Sequence, residues 1–390
     1  MRSVLIFIEW YTPANLAGGP IQAVQNIVKH LSHSMQIWIY TSAYDLGDNK
    51  IMKNIEADVW LNLSATTRVY YQSKKDVRLI DLKRMVLSIN PDVIYLNSMF
   101  SKHFVIDFLL IRLFEKCNRK VILTPRGMLK QSALKKKWFK KWTYLRFARF
   151  FGLYNDIQFN ASNEEEKIEI RRVFPNAGVT IISDIPPPVL SRPPILQKLP
   201  NHVTLCFISR IHSIKNLHFL LEVLQRVKIN IILSVIGNAE DTKYTVICKQ
   251  IALTLPLNIK VVFLGGLAHD EVNIALGVHH LFVLPTLGEN YGHAIIEALS
   301  VGRPVLISDQ TPWKNLKEYN AGWELPLSDK QAWIKAIEEA ASWDQAEFDK
   351  HCEGALVYAK AHTNNEELVK KYVEMFGGRE RPLRAQRNTN

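Results

Sequence analysis

The sequence predicts an α/β protein of two successive Rossmann-like halves, each a parallel sheet with crossover helices, and three observations predict it. Short β-branched apolar runs alternate with longer segments of helical period along most of the 390 residues. The alternation halts at a proline-rich stretch and then begins again. Length suits two packed domains, and 47% apolar and 22% charged residues with only 17 Gly and 17 Pro exclude a disordered, fibrous or disulfide-stapled chain.

In the first half the apolar runs Val4–Ile8, Ile37–Tyr40, Val93–Leu96 and Val121–Thr124 read as buried strands. Helical patterns fall between them, from about Ile21 to Ser32, near Leu79–Ile89 and over Phe104–Lys116. Ile185 to Pro194 holds five prolines in ten residues, which no helix or central strand accepts, so a stiff connector is expected there. The second half repeats the scheme with strands at Thr204–Ser209, Ile229–Ile236, Ile259–Leu264, Leu281–Pro285 and Pro304–Ile307. Its helices are expected at Leu217–Val227, Tyr244–Leu255, Asp270–Gly277 and Gly292–Val301. A last helical pattern, Glu366–Phe376, closes at Gly377-Gly378 before a basic tail. The expected domains are therefore 1–190 and 191–364, with 365–378 packing back on the first and 379–390 disordered.

Lys and Arg (49) outnumber Asp and Glu (37), which favours an anionic partner: nucleic acid, a phosphorylated small molecule or an anionic membrane face. Cys117, Cys206, Cys248 and Cys352 are scattered without a C-x-x-C pair or a histidine cluster, so neither zinc nor a disulfide framework is indicated and a cytoplasmic setting is expected. The apolar start Val4–Ile8 is too short for a signal-peptide core, and nowhere do about 18 uninterrupted apolar residues occur.

Two such halves suggest a nucleotide, yet the dinucleotide fingerprint and the P-loop are both absent. After the first strand stands Asn15-Leu16-Ala17-Gly18-Gly19-Pro20, a turn whose bare amides could meet an anion or serve only to reverse the chain. The second half says more. The strand Leu281–Pro285 runs into Thr286-Leu287-Gly288-Glu289-Asn290-Tyr291-Gly292-His293 and then Glu297, two carboxylates eight apart across a loop-to-helix junction. Gly292 permits close backbone approach, and the helix start favours phosphate. Five residues on, about 7.5 Å along the helix, Glu297 could reach a ribose diol. An exposed helix acid is the plainer alternative, but its neighbours Ile296 and Ala298-Leu299 predict burial, where an unpaired carboxylate is costly. Ser209-Arg210 and Lys215-Asn216 follow another strand, where ligands of open α/β sheets lie, and could hold a diphosphate without metal.

Together these residues resemble the retaining nucleotide-sugar glycosyltransferases of family 4, of the polysaccharide-assembly type. The E-x7-E element Glu289…Glu297 is the most specific part, continued by Ala298-Leu299-Ser300-Val301-Gly302-Arg303-Pro304-Val305. Arg210 and Lys215 look like the family's phosphate clamp, Phe263-Leu264-Gly265-Gly266-Leu267 like its base-contacting loop, and Gly18-Gly19 like its N-terminal glycine turn. The resemblance implies the GT-B fold, two domains facing across a cleft with a C-terminal helix crossing back to the first. It implies that Glu297 binds the ribose diol, Glu289 the donor sugar, Arg210 and Lys215 the diphosphate, and the backbone of Asn290, Tyr291 and Gly292 assists. Leu123-Thr124-Pro125-Arg126-Gly127-Met128-Leu129 looks like the P-R-G-M-L form of polysaccharide-assembly members; there Arg126, which cannot be a general base, would stabilise phosphate or position the acceptor. No metal and no cofactor are implied, the donor being a nucleotide sugar with UDP the expected carrier.

From Arg126 to Arg149 lie nine Lys or Arg and no acid, interleaved with aromatics, and Leu134, Trp138, Trp142 and Leu145 recur at helical spacing. Residues 130–151 are either a helix lying in an anionic inner-leaflet interface or domain core beneath a solvated lysine face. A membrane-borne acceptor, such as a polyprenyl-diphosphate-linked saccharide in capsule, O-antigen or exopolysaccharide assembly, would suit the first. A nucleotide-sugar epimerase on the same fold is one rival. A basic nucleic-acid-binding protein is another, but no nucleic-acid motif accompanies the charge and it leaves Glu289, Glu297, Arg210 and Lys215 unexplained. Asn97 and His103, near the end of Val93–Leu96, are further candidates for an acceptor site.

Overall fold

Along the first strand, β1 (Arg2–Phe7), successive side chains turn to opposite faces of a sheet that is covered on both sides. Val4 and Ile6 join one apolar cluster, Leu5 and Phe7 another. A computed structural model describes residues 1–74, 77–114, 119–135 and 138–377; the tail expected at 379–390, Lys136 and Lys137 lie outside them, as does the side chain of Lys135. The chain forms two compact units. The first comprises Met1–Ala14, Ala23–Ile185 and the segment from Asn365, the second Asn15–Gln22 and Pro186–Asn364.

In the first unit β1 is followed by α1 (Gly19–Leu31), β2 (Met35–Ser42), β3 (Trp60–Asn62), β4 (Thr67–Gln72), α2 (Leu79–Ile89), β5 (Val93–Asn97) and α3 (Asp107–Phe114). Then come β6 (Lys120–Thr124), α4 (Gln131–Lys135), α5 (Trp138–Phe150), β7 (Gln158–Ala161), α6 (Glu164–Val173) and β8 (Gly178–Ile181). Among the described residues the sheet has eight strands in the order β3-β4-β2-β1-β5-β6-β7-β8, parallel except for the β3–β4 pair. The order reverses direction between β1 and β5.

The second unit holds β9 (His202–Ile208), α7 (Leu217–Leu224), β10 (Asn230–Ile236), α8 (Thr242–Leu253), β11 (Ile259–Gly265), α9 (His269–Gly277), β12 (Leu281–Leu284), α10 (His293–Ser300), β13 (Val305–Ser308), β14 (Gly322–Leu325), α11 (Lys330–Ser342) and α12 (Gln345–His362). Its six described strands run parallel in the order β11-β10-β9-β12-β13-β14, reversing between β9 and β12. One apolar cluster fills this unit, from Leu205 and Phe207 to Trp333 and Phe348.

Three expectations need correction. The proline run is packed chain of the second unit rather than a bare connector: Leu190 N–H donates to Ser300 O at 2.9 Å and the buried Arg303 donates to Pro194 O at 2.8 Å. The division accordingly falls between Ile185 and Pro186. The glycine turn Asn15–Gln22 groups with the second unit although sequence order places it in the first. Thirdly, Leu134, Trp138, Trp142 and Leu145 form no single stripe, because Leu134 belongs to α4 and the others to α5. Leu134 and Leu145 pack on the core, whereas Trp138 is 62% and Trp142 51% exposed. The last helix, α13 (Asn365–Met375), adds Tyr372, Val373 and Met375 to the core of the first unit, with Phe376 beyond its end.

Candidate active site

Strand β9 ends at Ile208, and the chain leaves it across Gly237, whose φ of 149° suits only glycine. A side chain there would put its Cβ 1.8 Å from Ser209 O. This close approach binds the loops after β9 and β10, with Ile211 N–H donating to Asn238 O at 2.8 Å. Gly265, in the left-handed region at φ 75°, ends β11, and its carbonyl accepts from Gly237 N–H at 2.7 Å. Gly266 lies where a Cβ would be 2.6 Å from the Asn238 side chain, and Leu267 is half-buried against the core. Arg210 therefore shares one strand-end surface with Gly265, Gly266 and Leu267.

Past Arg210 the chain makes a short 3-10 turn, Ser213–Lys215, which the His212 ring caps by accepting from Ile214 N–H. The loop after β12 is tied to this turn, since Leu287 N–H donates to Ile214 O at 2.8 Å. The tie brings Lys215 Nζ within 2.6 Å of Glu289 Oε1, with the two side chains only 15% and 10% exposed. Residues 74 positions apart in sequence thus meet where the strand order reverses, between β9 and β12. Open parallel sheets bind ligands at that place.

Gly292, left-handed at φ 84°, opens α10, and no side chain caps the helix. A Cβ at Gly292 would lie 2.9 Å from Ile295 Cδ1 and 3.3 Å from Trp313 Nε1, so glycine is needed for space as well as for φ. The indole of Trp313 donates to Tyr291 O at 2.6 Å, and the Tyr291 ring sits edge-on to both Trp313 and His293. This holds the segment Asn290–Gly292. Glu297, one turn into α10, is buried among Ile295, Ile296, Ala298 and Leu299. Gly18 is left-handed at φ 68°, and a Cβ at Gly19 would touch the His293 ring at 2.8 Å.

In the second unit Lys215 meets Glu289 and Gly19 lies against His293 beside the start of α10; Arg126 belongs to the first unit, two residues past β6. Its guanidinium is paired with the buried Asp184 carboxylate and donates to Asn97 Oδ1 at 3.1 Å. Burial works against that charge, but Asp184, Tyr95 and Tyr372 outweigh it and hold the group protonated. The turn it occupies is pinned by the fully buried Glu166, which accepts from Gly127 N–H at 2.5 Å and Ser162 N–H at 2.7 Å. Asp184 already matches Arg126's charge, which fits a positioning group better than a phosphate ligand.

Sequence reasoning missed several participants. Glu240 pairs with Arg210 at 2.7 Å, both about one-third exposed; such a pair contributes under about 1 kcal/mol and yields readily to a competing anion. Asp184 and Glu166 likewise gave no local signal. Gly237, directly after an apolar strand, and His293, directly after Gly292, could have been found from position.

Residues 193–353 match the family model of glycosyl transferases group 1. A stretch of 96 residues, 25% of this chain, is 29% identical to the O-antigen chain mannosyltransferase RfbU of Salmonella typhimurium and spans 27% of that protein. Among solved structures the chain is similar to sucrose-phosphate synthase from Thermosynechococcus elongatus, with a TM-score of 0.72 and 15% identity over 96% of this chain and 98% of that one. It is similar to HepE of Anabaena, solved with UDP and glucose, at a TM-score of 0.68 and 15% identity over 96% and 99% of the two chains. WaaG, a glycosyltransferase involved in lipopolysaccharide biosynthesis, gives 0.67 and 13% identity over 97% and 100%. Identities this low bear on fold alone. The two α/β sheets share the fold of GT-B glycosyltransferase structures, and residues 193–353, within the second unit, match the glycosyl transferases group 1 model.

Proposed function

We propose that the protein is a retaining family 4 glycosyltransferase that moves a sugar from a nucleotide diphosphate, UDP by expectation, to a saccharide or polyprenyl-diphosphate-linked saccharide in cell-surface polysaccharide assembly. The observation that carries this reading is the Lys215–Glu289 contact of 2.6 Å beside the start of α10. A cation suited to diphosphate and a carboxylate suited to sugar hydroxyls within one hydrogen bond define where the two parts of such a donor join. Glu297, one turn along α10, is the group for the ribose diol, and Arg210 completes the phosphate clamp. In the reaction the acceptor oxygen bonds to the anomeric carbon while the bond from that carbon to the diphosphate breaks. The electron pair leaves on the diphosphate, whose oxygen takes the hydroxyl proton. The protein's work is electrostatic, and Lys215, Arg210 and the α10 amides supply it without a metal. The 29% identity over 96 residues to an O-antigen mannosyltransferase supports the polysaccharide setting.

Melting temperature should rise with one of UDP, GDP, CDP or ADP or its sugar, by the equivalent of about 2.7 kcal/mol at a hundred times Kd. Glu297→Ala and Arg210→Ala should abolish the rise while leaving the ligand-free melting temperature within a few degrees. A panel that shifts neither the wild type nor the variants would sink the reading.

A further inference from the structure

Both cations of the phosphate clamp face a carboxylate of the protein itself. Lys215 Nζ holds Glu289 at 2.6 Å, and Arg210 Nη1 holds Glu240 at 2.7 Å. The two pairs are unequally shielded. Lys215 and Glu289 are nearly enclosed, whereas Arg210 and Glu240 stand about one-third exposed, open to water and to an arriving anion.

Helix α8 does not need Glu240 as a cap, because the next residue, Asp241, accepts from Tyr244 N–H at 3.1 Å. Among the described residues the Glu240 carboxylate has no partner other than Arg210. The backbone beneath the pair is fixed. Ser209 N–H donates to Ile236 O at 2.9 Å, Ile211 N–H to Asn238 O at 2.8 Å and Asp241 N–H to Ile211 O at 3.2 Å, so the loops after β9 and β10 are laced together on both sides of it. Arg210 and Glu240 are therefore held as neighbours by the main chain, and rotation of their side chains is what parts them. The bond between them is single, Nη1 to Oε2, whereas a phosphate offers a guanidinium a two-bond fork. A carboxylate left in place beside a bound diphosphate would also meet a like charge, so a ligand on Arg210 requires Glu240 to swing away.

We infer that Glu240 is an internal competitor of the donor's diphosphate: it occupies Arg210 until a phosphate displaces it, and so sets the affinity threshold of the clamp. This rests on the transferase reading above and adds a regulating residue to its donor site. The displacement weakens every phosphate ligand of Arg210 by the same factor. Inorganic pyrophosphate has nothing to offset that loss, while a nucleoside diphosphate adds the contacts of its base and ribose. Lys215 keeps its enclosed partner close at hand; the exposed pair is the exchangeable one.

The test is a set of titrations at 0.15 M salt, where exposed charges beyond direct contact are largely screened. UDP, GDP, CDP and ADP, their nucleosides and inorganic pyrophosphate are titrated by calorimetry into the full chain and its Glu240→Ala and Glu240→Asp variants, the weak ligands in competition. The nucleoside diphosphate that binds should bind Glu240→Ala about two- to fivefold tighter, the scale of an exposed ion pair. Pyrophosphate should gain by the same factor and the nucleoside not at all. Glu240→Asp keeps the charge on a side chain one carbon shorter, which breaks the contact, and should show most of the same gain. A gain confined to Glu240→Ala would mean a field without competition, and a gain shared by the nucleoside would place Glu240 against base or ribose. Unchanged or weaker binding by Glu240→Ala would make it a bystander or a ligand of the donor. Each of these overturns the inference while wild-type binding keeps the transferase reading intact. Nucleoside diphosphates that bind none of the three proteins overturn the transferase reading and this inference with it.

Discussion

Individual side chains and single backbone positions set the chemistry and much of the fragility of this protein. Gly237 is the sharpest case, because a β-carbon there would overlap the Ser209 carbonyl and its φ of 149° suits no other residue. Gly237→Ala should therefore cost at least about 2 kcal/mol, read as a fall in urea midpoint. A midpoint unchanged within error would show that the β9 and β10 loops can move apart. His280 offers a second reading. It is buried, its Nδ1 accepts from the Thr204 N–H at 3.0 Å and hydroxyl at 2.6 Å, and its Nε2–H donates to Gln197 O at 3.0 Å, so the neutral ring is the one that fits. Burial pushes its pKa down from 6.5 to about 4. A lowered folded value means the unfolded chain binds the proton first. The contribution of His280 is whole above pH 6.5 and is lost as pH falls towards 4. Denaturation midpoints should fall between pH 7 and 5, and less steeply in His280→Gln. His279 and His351, also lowered by burial, leave a residual slope. An identical slope in wild type and variant would exclude His280 as a contributor.

At the scale of elements, α5 is the helix whose surface least resembles that of an ordinary soluble helix. Tyr144 and Leu145 pack it onto the first unit and Ala148 is buried, yet Trp138, Phe139, Trp142, Phe147 and Phe150 are exposed among Lys140, Arg146 and Arg149. Exposed aromatics interleaved with cations favour an anionic lipid surface over domain core. No helix among the described residues is long and apolar enough to cross a membrane. Flotation with phosphatidylglycerol vesicles should carry the protein upward, less so in 0.5 M salt, and the triple change Trp138→Ser, Trp142→Ser, Phe150→Ser should reduce it about tenfold or more. Equal flotation of wild type and variant would remove α5 from the account. Element by element, legibility followed burial. The strands buried on both faces were readable as continuous apolar runs, as was the glycine-led start of α10. Strand β4, Thr-Arg-Val-Tyr-Tyr-Gln, and β7, Gln-Phe-Asn-Ala, carry polar residues that blur the period and were missed, as were α6 and β8. The candidate carboxylates Glu289 and Glu297, within one loop and helix, leave a spacing that the sequence displays. Arg126 with Asp184 and Arg210 with Glu240 do not, because partners 58 and 30 positions apart leave no local pattern.

At the scale of the whole molecule, the first unit is assembled from pieces that are distant in sequence. Helix α13 brings Tyr372 and the residue after it brings Phe376, both almost fully buried, the latter against Tyr95 at 5.3 Å between ring centres. Lys120 Nζ also donates to Met375 O at 2.6 Å. Removing residues 365–390 should lower the stability of the first unit by several kcal/mol, the scale of losing more than one buried aromatic. Hydrogen exchange should speed up in β1, β2 and β5 and stay unchanged in β9 to β13. Uniform protection throughout would show that α13 is dispensable. There is also a consequence in time. All eight described strands of the first sheet have been synthesised once Ile181 is added, but roughly 200 further residues must follow before Phe376 is made, some 10–40 s at about 5–20 residues per second. Throughout that interval Tyr95 and Ile182 lack the apolar residues Tyr372, Val373, Met375 and Phe376 that share their cluster in the finished unit. Synthesis of this protein is therefore exposed to aggregation longest in the half that is made first.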